Sequence, residues 1–133
     1  MKQYTLPKCE RLYLRESIGE LYAKGTAFTA YPLRVMYYWR DRATLSDKQD
    51  ACAVMTVVPK RRFKHAVDRN RLKRLMREAY RLQKLPLREG VEHDGRAVEI
   101  SFVYIGSQLA TYDQICKAMN RAIVKLSKTC SNS

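Results

Sequence analysis

Residues 60–88 read KRRFKHAVDRNRLKRLMREAYRLQKLPLR. They hold twelve Lys or Arg and two acids, so ten of the chain's thirteen net positive charges sit in 29 of its 133 positions. Spaced at about 100° per residue, Leu72, Leu75, Met76 and Ala79 fall on one side of a helix. Asn70, Lys73, Arg74, Arg77, Arg81 and Lys84 gather between about 100° and 200° from Leu72. The spacing predicts a helix over 69–84 that buries an apolar stripe and shows a basic ridge opposite. Asp68 can serve as its N-cap or as a first-turn acid, and Pro86 stops it. Like charges side by side on a helix repel one another. Asp68 and Glu78 are too few for surface ion pairing to explain the pattern, whereas a polyanionic partner explains it.

The rest of the chain sets limits around this segment. Its 133 residues suffice for one domain with a real core, and 46% apolar content argues for folding rather than a disordered basic tail. We expect a single domain over 1–133, with 1–7 and 129–133 flexible. The pI of about 9.9 points to nucleic acid or an anionic membrane surface. No apolar run reaches the roughly 18–20 residues of a membrane span, and the first residues lack the apolar stretch of a signal peptide. The expectation is a cytoplasmic protein with no membrane partner and no obligate protein partner. Cys9, Cys52, Cys116 and Cys130 are widely separated and form no zinc-ligand spacing. They read as reduced thiols, with Cys52 and Cys116 on buried faces.

Working outward, residues 15–24 read as a short helix with Ile18, Leu21 and Tyr22 on one face and Gly25 as its stop. Residues 27–40 give one or two strand segments broken near Pro32. In the second, Val35, Tyr37 and Trp39 face one way and Arg34, Met36 and Tyr38 the other. Residues 41–50 form a polar turn, 51–58 a short apolar strand, and 60–66 a basic loop. Residues 88–96 read as a loop. Residues 97–105 alternate, with Val98, Ile100, Phe102 and Tyr104 on one side. Thr111 and Gln114 make a capping-box pair for a last helix carrying Ile115, Met119, Ala122, Ile123 and Leu126. The order is α-β-β-α-β-α, with room for an extra strand near 27–31. The class is α+β, helices packed on a small sheet.

The run Arg69-Asn70-Arg71-Leu72-Lys73-Arg74-Leu75-Met76-Arg77-Glu78 resembles the signature of the bacterial ribonuclease P protein component. Flanking features agree in order. Lys8-Cys9-Glu10-Arg11-Leu12 resembles the family's opening, and Leu21-Tyr22-Ala23-Lys24-Gly25 the end of its first helix. Val57-Val58-Pro59-Lys60-Arg61 resembles the strand and basic turn before the motif, and Tyr112 opens a helix like the family's last. The resemblance covers about residues 5–128. One first-helix position usually filled by Phe is Ile18 here, and a second aromatic position is Tyr22. The resemblance implies a small α/β sandwich, like the second domain of ribosomal protein S5, with a left-handed βαβ crossover. General rules would give the right-handed form. It also implies a subunit of an endoribonuclease in which a catalytic RNA holds Mg²⁺ and cleaves precursor tRNA at the mature 5′ end. The protein then binds that RNA and the single-stranded 5′ leader.

The residues themselves agree with a helper role. Protein-only phosphodiester hydrolysis needs metal-holding carboxylates or a histidine acid–base pair. Asp41, Asp47 and Asp50 share one polar turn and read as solvated, while His65 and His93 are isolated. We expect no catalytic residue and no metal ligand in the protein, with Mg²⁺ held mainly by RNA. For the catalytic RNA the candidates are Lys60, Arg61, Arg62, Lys64, Arg69, Asn70, Arg71, Lys73, Arg74, Arg77 and Arg81. Arg forks grip phosphate oxygens bidentately, a helix N-terminus offers free N–H groups, and Asn70 can reach a 2′-OH or base edge. For an unpaired leader the candidates are Ile18, Tyr22, Phe28, Tyr37 and Trp39, because bases stack on rings whatever their sequence. Lys60 and Lys64 could line the same cleft. A ribosomal or ribosome-assembly protein would share this size and charge. A DNA-binding helix module fits less well, because no second helix precedes the basic one to form a helix-turn-helix.

Overall fold

The structure, a computed structural model, describes residues 15–41 and 51–129. The elements run α1 (Arg15–Lys24), β1 (Thr26–Ala30), β2 (Leu33–Arg40), β3 (Cys52–Val57), α2 (Ala66–Gln83), α3 (Leu85–Asp94), β4 (Ala97–Tyr104) and α4 (Tyr112–Ser127). The expected opening at 8–12, most of the turn at 41–50 (Asp47 and Asp50 included), Cys9 and Cys130 lie outside the described residues.

One sheet of four strands in the order β1-β2-β4-β3 organises the chain. β1, β2 and β4 pair antiparallel in sequence, with Phe28 opposite Val35 and Val35 opposite Phe102. β3 pairs with β4 in parallel, Val57 beside Val103. A parallel pair cannot close through a hairpin, so the connection leaves the sheet and returns through α2 and α3. The extra strand near 27–31 is present as β1, and the turn at Tyr31-Pro32 carries a cis peptide.

The alternation along each strand sorts side chains to two faces. Val35, Val54, Val98, Ile100, Phe102 and Tyr104 meet Leu72, Met76, Ala79 and Tyr80 of α2, with α3 and α4, in the main core. The opposite face carries a smaller cluster, where Leu21 and Ile18 of α1 meet Met36, Tyr38, Ala53 and Met55. Each fully buried Leu, Met or Phe side chain contributes about 1.5–3 kcal/mol. The α2 stripe thus fixes which way its charges point.

Three local expectations are corrected. Helix α2 begins at Ala66 with His65 as N-cap, so Asp68 is a first-turn acid and not the cap. Residues 88–96 are mostly helix: α3 spans Leu85–Asp94, with Pro86 in its first turn and Gly95 at φ 88° ending it. Proline is tolerated there because its missing N–H would have had no partner within the helix. Lys84 is 1% exposed at the α2–α3 junction, so it is no part of the basic ridge. The last helix follows its prediction: Thr111 Oγ1 accepts from Gln114 N at 3.2 Å, and Gln114 Oε1 accepts from Thr111 N at 2.9 Å.

Candidate nucleic-acid interface

The basic surface is built from two pieces of chain. The first is the loop between β3 and α2. Arg62 N donates to Pro59 O at 3.2 Å, closing a turn. Phe63 is buried, and its ring meets Tyr104 edge-on at 5.7 Å. With Phe63 as anchor, Lys60, Arg61, Arg62, Lys64 and His65 are left exposed around it.

The second piece is the outer side of α2. Leu72, Met76, Ala79 and Tyr80 are 0% exposed, and helical geometry then turns Asn70, Arg71, Arg74 and Arg77 outward, where all four are exposed. Lys73 is half-buried on the flank. Arg81 is half-buried and paired with Glu78; that hydrogen bond holds the Glu78 carboxyl below its ordinary range and Arg81 above its own.

Arg69 has a different task. Its Nη1 donates to the carbonyls of Phe63 at 2.8 Å and Lys64 at 2.9 Å. The guanidinium therefore ties the basic loop to the first turn of α2 and fixes the two pieces relative to each other. Sequence periodicity carries no signal for such a bond. The loop and the exposed residues of α2 form one outward cationic surface, placed at a helix N-terminus where free N–H groups and the helix dipole favour anions.

The five aromatic and apolar candidates do not share one surface. Tyr22 and Ile18 lie on the α1 side, where Tyr22 is 44% exposed and its hydroxyl is 2.9 Å from Ser101 Oγ. Phe28, Tyr37 and Trp39 pack against the main core on the other side of the sheet. There Phe28 meets Tyr37 at 6.1 Å, Lys125 Nζ lies 4.7 Å from the Phe28 ring, and the Arg96 guanidinium lies 4.5 Å from the Trp39 ring. Residues that do share the α1 face, and that the sequence reading passed over, are Met36, Tyr38 and Met55, together with exposed Arg34. The alternation of 34, 36 and 38 was the available signal.

Among the described residues no three His, Cys, Asp or Glu side chains gather into a set that could hold a metal ion. Cys52 is buried, its Sγ 3.4 Å from the Tyr80 hydroxyl, and Cys116 is half-buried; both are thiols rather than disulfides. No helix among the described residues is long and apolar enough to cross a membrane.

Comparison with known proteins agrees with this architecture. The Ribonuclease P family model matches residues 6–127. The ribonuclease P protein component of Porphyromonas gingivalis is 36% identical over 123 residues, covering 92% of this chain and 87% of that protein. That of Chlorobium phaeobacteroides is 36% identical over 109 residues, covering 78% and 74%. The solved structure of the Staphylococcus aureus RNase P protein superposes with a TM-score of 0.67 at 20% identity, covering 93% of this chain and all of that one.

Proposed function

The chain belongs to the ribonuclease P protein family, and we propose that its basic loop and α2 dock on the catalytic RNA of that enzyme. The observation that carries this reading is the sorting of α2: Leu72, Met76, Ala79 and Tyr80 inward, Asn70, Arg71, Arg74 and Arg77 outward, with Lys60, Arg61, Arg62 and Lys64 beside its first turn. Arg69 contributes by positioning the loop, and Lys73 and Arg81 border the surface. If about six phosphates are neutralised, log affinity falls by roughly five units per tenfold rise in salt.

The α1 side of the sheet is the place for the 5′ leader of precursor tRNA. Tyr22 supplies an exposed ring for stacking, Ile18 packs beside it, and Arg34 supplies a cation on the same face. Phe28, Tyr37 and Trp39 serve the core instead. Among the described residues no cluster of side chains suits Mg²⁺, and we assign the ion that the reaction needs to the RNA and no catalytic residue to the protein. The protein's part is to bind, orient and balance charge among crowded phosphates.

The test is single-turnover cleavage of precursor tRNA by the cognate RNA at low Mg²⁺, with and without the protein. Stimulation is expected; its absence overturns the reading. Substrates with long and one-nucleotide leaders separate the second role. Equal affinity for both removes the leader from the α1 face.

A further inference from the structure

The end of the sheet that carries the basic loop also carries a second, unrelated feature. Beside Tyr104, on the side away from β3, an open cavity of about 340 Å³ lies between the β1–β2 turn, the segment after β4 and the start of α4. Tyr31, Pro32, Tyr104, Gln114, Lys117 and Arg121 line it. That volume is at the lower end of small-ligand sites, about 300–1,000 Å³, and is sufficient for one nucleotide. Its lining has the two components that unpaired nucleic acid needs. Tyr31 is an aromatic ring 61% exposed, and Lys117 and Arg121 are exposed cations one helical turn apart on α4.

The site is held in shape. Arg121 Nη2 donates to the Tyr31 carbonyl at 2.8 Å, fastening the β1–β2 turn to α4. The Tyr104 hydroxyl donates to the Gln108 carbonyl and closes the floor, and Thr111 with Gln114 fixes the first turn of α4. Lys117 is paired with Asp113 at 3.2 Å, but both side chains are more than 70% exposed and such a pair is easily exchanged for a phosphate. Tyr104 is the common wall: Phe63 of the basic loop packs on it, and the cavity opens beside it. The cavity and the basic loop therefore lie on either side of Tyr104 at one end of the sheet.

We propose that this cavity receives one unpaired nucleotide of the catalytic RNA, its base on the Tyr31 ring and its phosphate on Lys117. The inference rests on the docking of that RNA through α2 and adds a point of contact that α2 does not supply. The chemistry asks for a single-stranded nucleotide, and stacking on the Tyr31 ring tolerates any base.

The experiment uses the full chain and its cognate RNA. Binding is measured by filter retention across a salt series, and the bound RNA is probed at nucleotide resolution for backbone flexibility. Tyr31→Ala should weaken binding about tenfold, the lower part of the range for removing one stacking ring, whereas Tyr31→Phe should bind as the unaltered chain does. Lys117→Ala should reduce the salt slope by about one. One single-stranded nucleotide should be rigid with the unaltered and Tyr31→Phe proteins and mobile with Tyr31→Ala. If the unaltered chain fails to bind the RNA, the docking proposal falls and this one with it. If it binds but Tyr31→Ala leaves affinity and flexibility unchanged, only the cavity assignment falls. A Tyr31→Ala defect seen solely with long-leader precursor tRNA also overturns it, by giving the cavity to the substrate.

Discussion

Arg40 Nε lies 3.1 Å from Oε1 of Glu99, an ion pair between neighbouring strands in which the carboxylate side chain is only 2% exposed. Arg40 Nη2 also meets Glu20 Oε1 of α1 at 3.3 Å. Burial pulls the Arg40 guanidinium down, but the two carboxylates outweigh it and hold the group above the ordinary arginine value. The pair thus joins α1 to the sheet beneath it. Glu99 Oε2 is buried and accepts no hydrogen bond from the described residues.

Removing one member should therefore be costly. Glu99→Ala leaves the largely covered Arg40 cation with Glu20 as its remaining carboxylate among the described residues, and should destabilise the fold by about 3 kcal/mol, the low end of the range for broken buried pairs. Replacing both, as Arg40→Met with Glu99→Leu, should recover most of that loss. Urea midpoints for the single and double variants decide it. A loss below about 1 kcal/mol for Glu99→Ala would show that the pair is solvated after all.

The cationic surface of α2 should behave additively. Arg71→Ala, Arg74→Ala and Arg77→Ala should each lower the salt slope of RNA binding by about one and shift stability by no more than about 0.5 kcal/mol. Arg69→Ala should differ in kind. It frees the loop carbonyls of Phe63 and Lys64, so it should weaken binding while also loosening the loop, seen as faster amide exchange at residues 62–65. An Arg69→Ala variant whose loop exchanges as before would remove its positioning role.

Gly25 should not tolerate a side chain. It ends α1 by close approach: a Cβ there would lie 2.3 Å from Leu21 O and 2.9 Å from Tyr37 O, both backbone atoms that cannot move aside cheaply. Gly25→Ala should cost about 2 kcal/mol or more and separate α1 from β2. Gly19→Ala, where a Cβ meets nothing within 4 Å, serves as the control and should be neutral or stabilising. Equal midpoints for the two variants would contradict the contact geometry.

Tyr112 offers a pH test. Its hydroxyl is hydrogen-bonded to the Cys116 thiol and partly desolvated, and is pushed up from 10.0 to about 12. A raised value in the folded state favours the protonated phenol. Its contribution to stability is fully present below pH 10, and is lost as pH rises through about 12. The stability advantage of the unaltered protein over Tyr112→Phe should accordingly shrink across that window, while Cys116→Ala should bring the ionisation, followed by ultraviolet absorbance, back toward 10. Parallel stability curves between pH 9 and 12 would exclude it.

The parts of this molecule that could be read from sequence are those where one periodicity governs a long segment. The apolar stripe of α2, the alternation of 97–104 and the capping box at Thr111 all express local rules, and the structure follows them. The misreadings arose where a local rule met a tertiary choice. Pro86 does lie just past the end of α2, but the first turn of a new helix accepts it, so a loop over 88–96 does not follow, and the angular count that places Lys84 on the ridge holds only within one straight helix. Tyr37 and Trp39 were correctly put on one face and Tyr38 on the other, but strand alternation does not say which face a distant helix will cover. Arg69 reads as one more cation until its carbonyl partners are seen.

The parallel pairing of β3 with β4 has a consequence for any attempt to re-engineer this protein. The charged segment is also the cord that lets those two strands lie side by side, so it cannot be shortened, excised or exchanged for a loop without dismantling the sheet. Recoding its affinity means changing the tips of the exposed Asn70, Arg71, Arg74 and Arg77 while leaving alone the backbone path and the Arg69 bonds that hold it, so these outward positions are an alphabet written on an obligatory spine.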